Sequence, residues 1–257
     1  MSTLLLHGLG ADRRQPLELF TPALADSPGP VVALDVRAHG DSPLVGDAAD
    51  FTLAALAREL AASARDALPP GEPVTVIGIS MGAALALRIT LDELLPVRRA
   101  VFVRPSFSSE ALPSNLRVFP VIAELLARLG PVEGLGVFRE SSLYQEVFAA
   151  SPAGGRGLLT QFTAPDAAAR AVRLTEVPRN RAYHDAAELA ALAARGVPSL
   201  VVAAPRDPVH PVPVAEEWAA GLGAPLLRVP ARDDSPVAQT AALRAGLADW
   251  LRSSPPA

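Results

Sequence analysis

Residues 74–85 leave this chain few ways to fold. The β-branched, apolar run Val74-Thr75-Val76-Ile77 enters Gly78-Ile79-Ser80-Met81-Gly82, and the helix-favouring Ala83-Ala84-Leu85 leaves it. A buried strand, a sharp turn and a helix in that order lift one hydroxyl, that of Ser80, above a sheet edge. Gly78 and Gly82 suit the close approach of strand and helix that the turn demands. The same geometry aims the backbone N–H of Met81 at the place where negative charge develops during acyl transfer. A plain glycine-rich turn between strand and helix is the competing reading.

The rest of the chain repeats the alternation. Thr3 to Leu6 reads as a buried strand running into the turn His7-Gly8-Leu9-Gly10, and Val31 to Asp35 reads as the next strand. Pro28-Gly29-Pro30 breaks the helix between them, and the turn-rich loop Asp35 to Ser42 follows. Leu53, Leu56, Leu60 and Leu68 keep helical spacing behind Thr52, a fitting N-cap, and Pro69-Pro70-Gly71 stops that helix. Further strands fall at Arg98–Val103, Pro198–Ala204 and Leu226–Val229, a closing helix at Val237–Leu251, and a frayed tail at 253–257. Strands that alternate with helices predict a mostly parallel sheet of about six strands covered on both faces, an α/β fold. The alternation stops at Pro105, so residues 1–105 and 182–257 form the expected core. Residues 106–181 form a helical cap over the C-terminal sheet edge, where such folds bind ligands.

Gly8-Leu9-Gly10 with Asp35 also invites a dinucleotide fingerprint. Arg13 stands where the third glycine belongs, and Gln15-Pro16 delays the helix that would hold a pyrophosphate. No clustered metal ligands and no phosphate loop appear, so neither metal nor cofactor is expected. The net charge of −4 offers no bulk attraction for nucleic acid or an anionic membrane. No apolar run approaches the ~20 residues of a membrane span. Cysteine is absent, which removes disulfides, thiolate metal sites and cysteine nucleophiles together. These features predict a cytoplasmic protein whose partner is a small-molecule substrate, with a homodimer as the assembly considered.

Taken in order, the motifs resemble the α/β-hydrolase family, in its small, capped, single-domain type, over nearly the whole chain. His7-Gly8-Leu9-Gly10 resembles the oxyanion turn, which implies a role for the N–H of Leu9. Asp35 to Ser42 is similar to the loop after the next strand, with Ala38 where the family usually has glycine. Gly78 to Gly82 resembles the nucleophile elbow, which makes Ser80 the nucleophile. Pro205 to Pro211 is similar to the turn that carries the triad acid, which makes Asp207 that acid. After the last strand, where the family places histidine before Ser-Pro, this chain has Asp234-Ser235-Pro236. No histidine follows His210. Two carboxylates, Asp207 and Asp234, facing each other near Ser80 would not both ionise, so one would hold a proton.

The chain has four histidines. His7 is expected to orient the oxyanion turn, His39 to serve the turn or the pocket rim, and His184 to lie at a surface helix start. His210, three residues beyond Asp207, either acts as the base or braces the turn between Pro208 and Pro211. Arg37, Arg104 and Arg206 follow predicted strand ends and ring the expected pocket mouth, as does Arg232. They either bind a substrate anion or pair with nearby carboxylates. Three functions remain open. One is a serine hydrolase of a small, anionic ester, thioester or lactone. Another is a lyase, isomerase or cyclase on the same pocket, with Asp234 or Asp207 moving the proton. The third is a ligand-binding protein without catalysis.

Overall fold

The computed structural model describes residues 1–27 and 29–254. Pro28 of the expected helix break, and residues 255–257 of the expected tail, lie outside the described residues. In chain order the elements are β1 (Ser2–Leu6), α1 (Arg14–Phe20), β2 (Val31–Leu34), α2 (Leu53–Ala67), β3 (Val74–Ile79), α3 (Met81–Leu91) and β4 (Val97–Val103). Five helices follow: α4 (Val118–Glu140), α5 (Ser142–Ala150), α6 (Pro152–Thr163), α7 (Val172–Glu176) and α8 (Ala186–Ala194). The chain closes with β5 (Ser199–Ala203), α9 (Val212–Leu222), β6 (Leu226–Arg228) and α10 (Pro236–Ser253).

The six strands form one sheet in the order β2-β1-β3-β4-β5-β6, and every neighbouring pair is parallel. Parallel strands buried on both faces must be apolar at nearly every position, and β1, β3 and β5 are buried throughout. Alternate residues serve opposite layers. Leu4, Leu6 and Val76 pack with α2, α3 and α9, whereas Leu5, Ile77 and Ile79 pack with α1 and α10. Local chemistry starts and stops the helices as the sequence suggests. The Thr52 hydroxyl caps α2 by accepting the N–H of Ala55 at 3.1 Å, and the Leu53/Leu56/Leu60 face is buried.

From β1 the chain turns to β2 on one side and later to β3 on the other. Their C-terminal ends therefore open into a crevice, the usual ligand position of such a sheet. The His7–Gly10 turn and Ser80 both lie at this opening. Between β4 and β5 the described chain adds helices and no strand to the sheet. Within that segment α4 bends at Gly130 (φ 73°), immediately before Pro131.

Candidate active site

Ser80 occupies the turn between β3 and α3 with φ 57° and ψ −118°, a conformation an L residue adopts only under strain. The surrounding glycines make it feasible. A methyl group on Gly78 would come within 2.7 Å of the Ala83 nitrogen, and one on Gly82 equally close to the His7 carbonyl. Ala38, Arg104 and Arg206 also have positive φ, at 58°, 48° and 56°. Each lies just past a strand end, so the backbone is strained at the exits of β2, β3, β4 and β5. Such strain costs on the order of 1–2 kcal/mol per residue and collects at sites that need unusual geometry.

The turn after β5 meets the Ser80 hydroxyl. His210 Nε2 lies 2.8 Å from Ser80 Oγ, and His210 Nδ1 lies 2.9 Å from Asp207 Oδ2. A neutral imidazole satisfies both contacts when Nδ1–H donates to the carboxylate and Nε2 accepts the serine O–H. Asp207 Oδ1 accepts the N–H groups of Val209 and His210, each at 3.2 Å, and Oδ2 also accepts from Arg104 Nη1 at 3.2 Å. Burial pushes the Asp207 carboxyl up, but its contact with His210 and the nearby guanidinium charges of Arg104 and Arg232 outweigh it and hold the group ionised. For His210, burial lowers the imidazole below its ordinary value, Asp207 pulls it back, and Arg104 and Arg232 lower it again. The ring is therefore neutral at pH 7, the state a general base requires.

The β1 turn forms the opposite wall. His7 Nε2 accepts the Val36 N–H at 3.0 Å and Nδ1 donates to the Gly8 carbonyl at 2.8 Å, which joins the turns after β1 and β2. Gln15 Oε1 accepts the Gly8 N–H at 2.8 Å. The next N–H, that of Leu9, and that of Met81 at the start of α3 have no acceptor among the described residues. Ser80, His210, Leu9, Arg104, Phe119 and Arg232 are among the residues lining a cleft of ≈ 120 Å³.

Several expected site residues lie elsewhere. Asp234 does not face Asp207: its side chain is 64% exposed and pairs with Arg206, itself 53% exposed. Ser235 and Pro236 explain themselves locally, because the Ser235 hydroxyl caps α10 by accepting the Ala238 N–H at 3.1 Å, and Pro236 takes the first helical position. Arg37 is drawn to Glu59 of α2 at 2.6 Å, a partner that the strand-end pattern did not suggest. Neither Arg37 nor Arg206 lines the cleft. Arg104 does, but it is committed to Asp207. Arg232 also lines it, and its buried Nε has no partner among the described residues.

Other contributors carry no sequence motif. Ser106, just past β4, lies 3.4 Å from Ser80, hydroxyl to hydroxyl. Asn115 Nδ2 donates to the carbonyls of Ser106 at 2.9 Å and Val209 at 2.8 Å, tying the segment after β4 to the His210 turn. Helix α6 brings Gly154, Gly157, Leu158 and Gln161 to the cleft. Glycines inside an otherwise ordinary helix were the one available signal of that close approach. His184 is exposed and remote from this network. Among the described residues no three His, Asp or Glu side chains gather as a metal site, and no helix is long and apolar enough to cross a membrane.

The model of the alpha/beta hydrolase family matches residues 3–246. No curated protein matches the chain. Solved structures of similar shape include MenH from S. aureus, with a TM-score of 0.71 at 17% identity, covering 98% of this chain and 94% of that one. The enol-lactonase from Burkholderia xenovorans LB400 gives 0.68 at 17% identity over 98% and 91% of the two chains. A hydrolase from Pseudomonas aeruginosa PA01 gives 0.65 at 21% identity over 96% and 89%. At these identities the likeness is one of fold.

Proposed function

The chain belongs to the alpha/beta hydrolase family, and from its Ser80–His210–Asp207 relay we propose that it hydrolyses a small ester, thioester or lactone carrying an anionic group. The observation behind this reading is the pair of contacts made by one imidazole, 2.8 Å to Ser80 and 2.9 Å to Asp207. Serine is a weak nucleophile until a base accepts its proton, and an imidazole in this position is that base. Ser80 Oγ attacks the acyl carbon as its proton passes to His210 Nε2. The N–H groups of Leu9 and Met81 stabilise the oxyanion. The proton then passes from His210 to the departing oxygen or sulfur, leaving an acyl-serine. Water attacks that ester, gives a proton to His210 and releases the acid, and Ser80 recovers its hydrogen. Asp207 remains ionised throughout, fixing the tautomer and stabilising the imidazolium.

The anionic group is proposed from Arg232, a cation at the cleft without a carboxylate partner among the described residues. Ionised substrates suit a guanidinium that presents a free N–H. The lyase, isomerase or cyclase reading drew its support from a missing imidazole near Ser80, so the observed contact favours hydrolysis. An organophosphonate probe should label Ser80 in the wild type and not in Ser80→Ala. The variant should lose turnover of simple esters by about 10³-fold or more. Unlabelled Ser80, or an ester-hydrolysing Ser80→Ala protein, removes the proposal. For the anion, Arg232→Gln should raise KM for a carboxylated ester well above any change it causes for a neutral ester of the same size, the two compared at one pH because Arg232 also acts on His210 and Asp207.

A further inference from the structure

A second cleft, ≈ 370 Å³, opens between core and cap beyond the Leu9–Gly10 turn. Its walls are the Gly10–Asp12 and His39–Asp41 turns of the core, faced by Arg170 and Arg173. Gln161 separates it from the catalytic cleft. The amide packs against Gly10, and its Nε2 donates to the Leu9 carbonyl at 3.4 Å. None of the chemistry proposed for Ser80 uses this space.

Two buried polar atoms on its lining residues lack partners among the described residues, Arg173 Nε and His39 Nε2. Arg173 is only 2% exposed, and among the described residues its side chain makes one hydrogen bond, from Nη1 to the Ala38 carbonyl at 2.6 Å. A buried guanidinium without a counter-ion is costly. The acids on the walls do not supply one. Asp12 is held by Arg14, Asp41 by Arg13, and Asp166 stands 4.0 Å from Arg170. Arg170 adds a second positive charge, with Nη1 on the Gly40 carbonyl at 2.8 Å. His39 brings complementary chemistry. Its Nδ1 donates to the Arg37 carbonyl at 2.8 Å, so in the neutral ring Nε2 is an acceptor that seeks an O–H.

We propose that this cleft binds a small oxyanion that also carries an O–H group, the anion on Arg173 and Arg170 and the hydroxyl on His39 Nε2. Hydrogen phosphate groups and hydroxycarboxylates share that chemistry. Sulfate and acetate have the charge without the hydroxyl.

Thermal unfolding in the presence of inorganic phosphate, glycolate, sulfate or acetate tests this directly. At a ligand concentration about a hundredfold above Kd, phosphate or glycolate should raise Tm by about 5–10 °C. Sulfate and acetate should bind about tenfold or more weakly, the loss of one hydrogen bond to a buried acceptor. A response to phosphate alone identifies a phosphoryl ligand, and one to glycolate alone a hydroxycarboxylate. The stabilisation should disappear in Arg173→Gln. Because Arg173 also holds the Ala38 carbonyl and Arg170 the Gly40 carbonyl, the companion variant Arg170→Gln, on a side chain 18% exposed, is read as the shift from its own ligand-free Tm, which should be smaller than in the wild type. The His39 Nε2 nitrogen resonance should move on phosphate addition. Equal responses to phosphate and sulfate overturn the proposal, as does no response at all, which would leave an ordered water on the two atoms. Stabilisation that survives Arg170→Gln but vanishes in Arg232→Gln overturns it too, because the anion would then lie beside Ser80.

Discussion

Asp207 holds His210 twice: Oδ2 accepts the ring Nδ1–H at 2.9 Å, and Oδ1 accepts the backbone N–H of the same residue at 3.2 Å. The proposed acid and base thus share one turn, and in that reading the loop after β6 need not supply a histidine. His210→Ala should therefore lower kcat for ester hydrolysis by about 10⁴-fold. Asp234→His should change it little, because position 234 is exposed and paired with Arg206. Steady-state rates on a nitrophenyl ester compare the two. A large gain in Asp234→His, or high activity in His210→Ala, would contradict this arrangement.

Burial is the main reason that the His210 pKa is lowered, and Arg104 adds to it. Its charge lowers the His210 pKa directly, and its hydrogen bond withdraws negative charge from Asp207, which otherwise raises it. Arg104→Gln removes both effects, and both changes move the imidazole pKa up. The acid limb of kcat/KM in the wild type should lie below the ordinary histidine value of about 6.5 and shift to higher pH in the variant. A limb that stays in place or moves down would show that His210 is not the titrating base.

The strands, the strand–turn–helix around Ser80 and the turn after β5 are legible because each depends on residues adjacent in sequence. Val74, Val76, Ile77 and Ile79 are apolar because both faces of β3 are covered, and Gly78 and Gly82 are small because β3 and α3 touch. The arginines were not legible in this way. Whether Arg37 meets a substrate or Glu59 depends on how α2 packs beside the loop after β2, which no local pattern records. Asp234 misled for another reason. Ser235-Pro236 is equally good chemistry for starting α10, so the resemblance to a histidine motif has a local cause. Arg232 stood in the same strand-end pattern as its neighbours, and only the three-dimensional pairing separates it from them.

Asn115 has no motif of its own, yet it bridges Ser106 and Val209 and so braces the His210 turn from the segment after β4. Asn115→Ala leaves two part-buried carbonyls unpaired, a loss of about 1–3 kcal/mol in stability. If the imidazole drifts, kcat should fall while KM stays near wild type, since a misplaced base slows the transition state more than binding. Chemical denaturation and steady-state kinetics measure the two effects separately. Wild-type kcat in a destabilised variant would reduce Asn115 to a purely structural role.

Acid should unfold this protein through its histidines. His7, His39 and His210 all have lowered pKa values, burial being the largest cause in each. A group whose folded pKa is depressed binds its proton more readily when unfolded, near 6.5. Each therefore contributes stability that is complete above that value and is lost as pH falls towards the folded pKa. Each ring still neutral in the folded state adds close to one proton to unfolding once pH drops below about 6, a slope of roughly 1.4 kcal/mol per pH unit per ring, with His39, held furthest down, the steadiest contributor. Calorimetric Tm values between about pH 7.5 and 5 should fall steeply only in the lower half of that range. The dependence should weaken by about one proton in His39→Gln, which retains a hydrogen-bonding side chain in the turn. A flat profile down to pH 5 would mean that the folded protein protonates these rings as easily as the unfolded chain does, against the burial seen at His7 and His39.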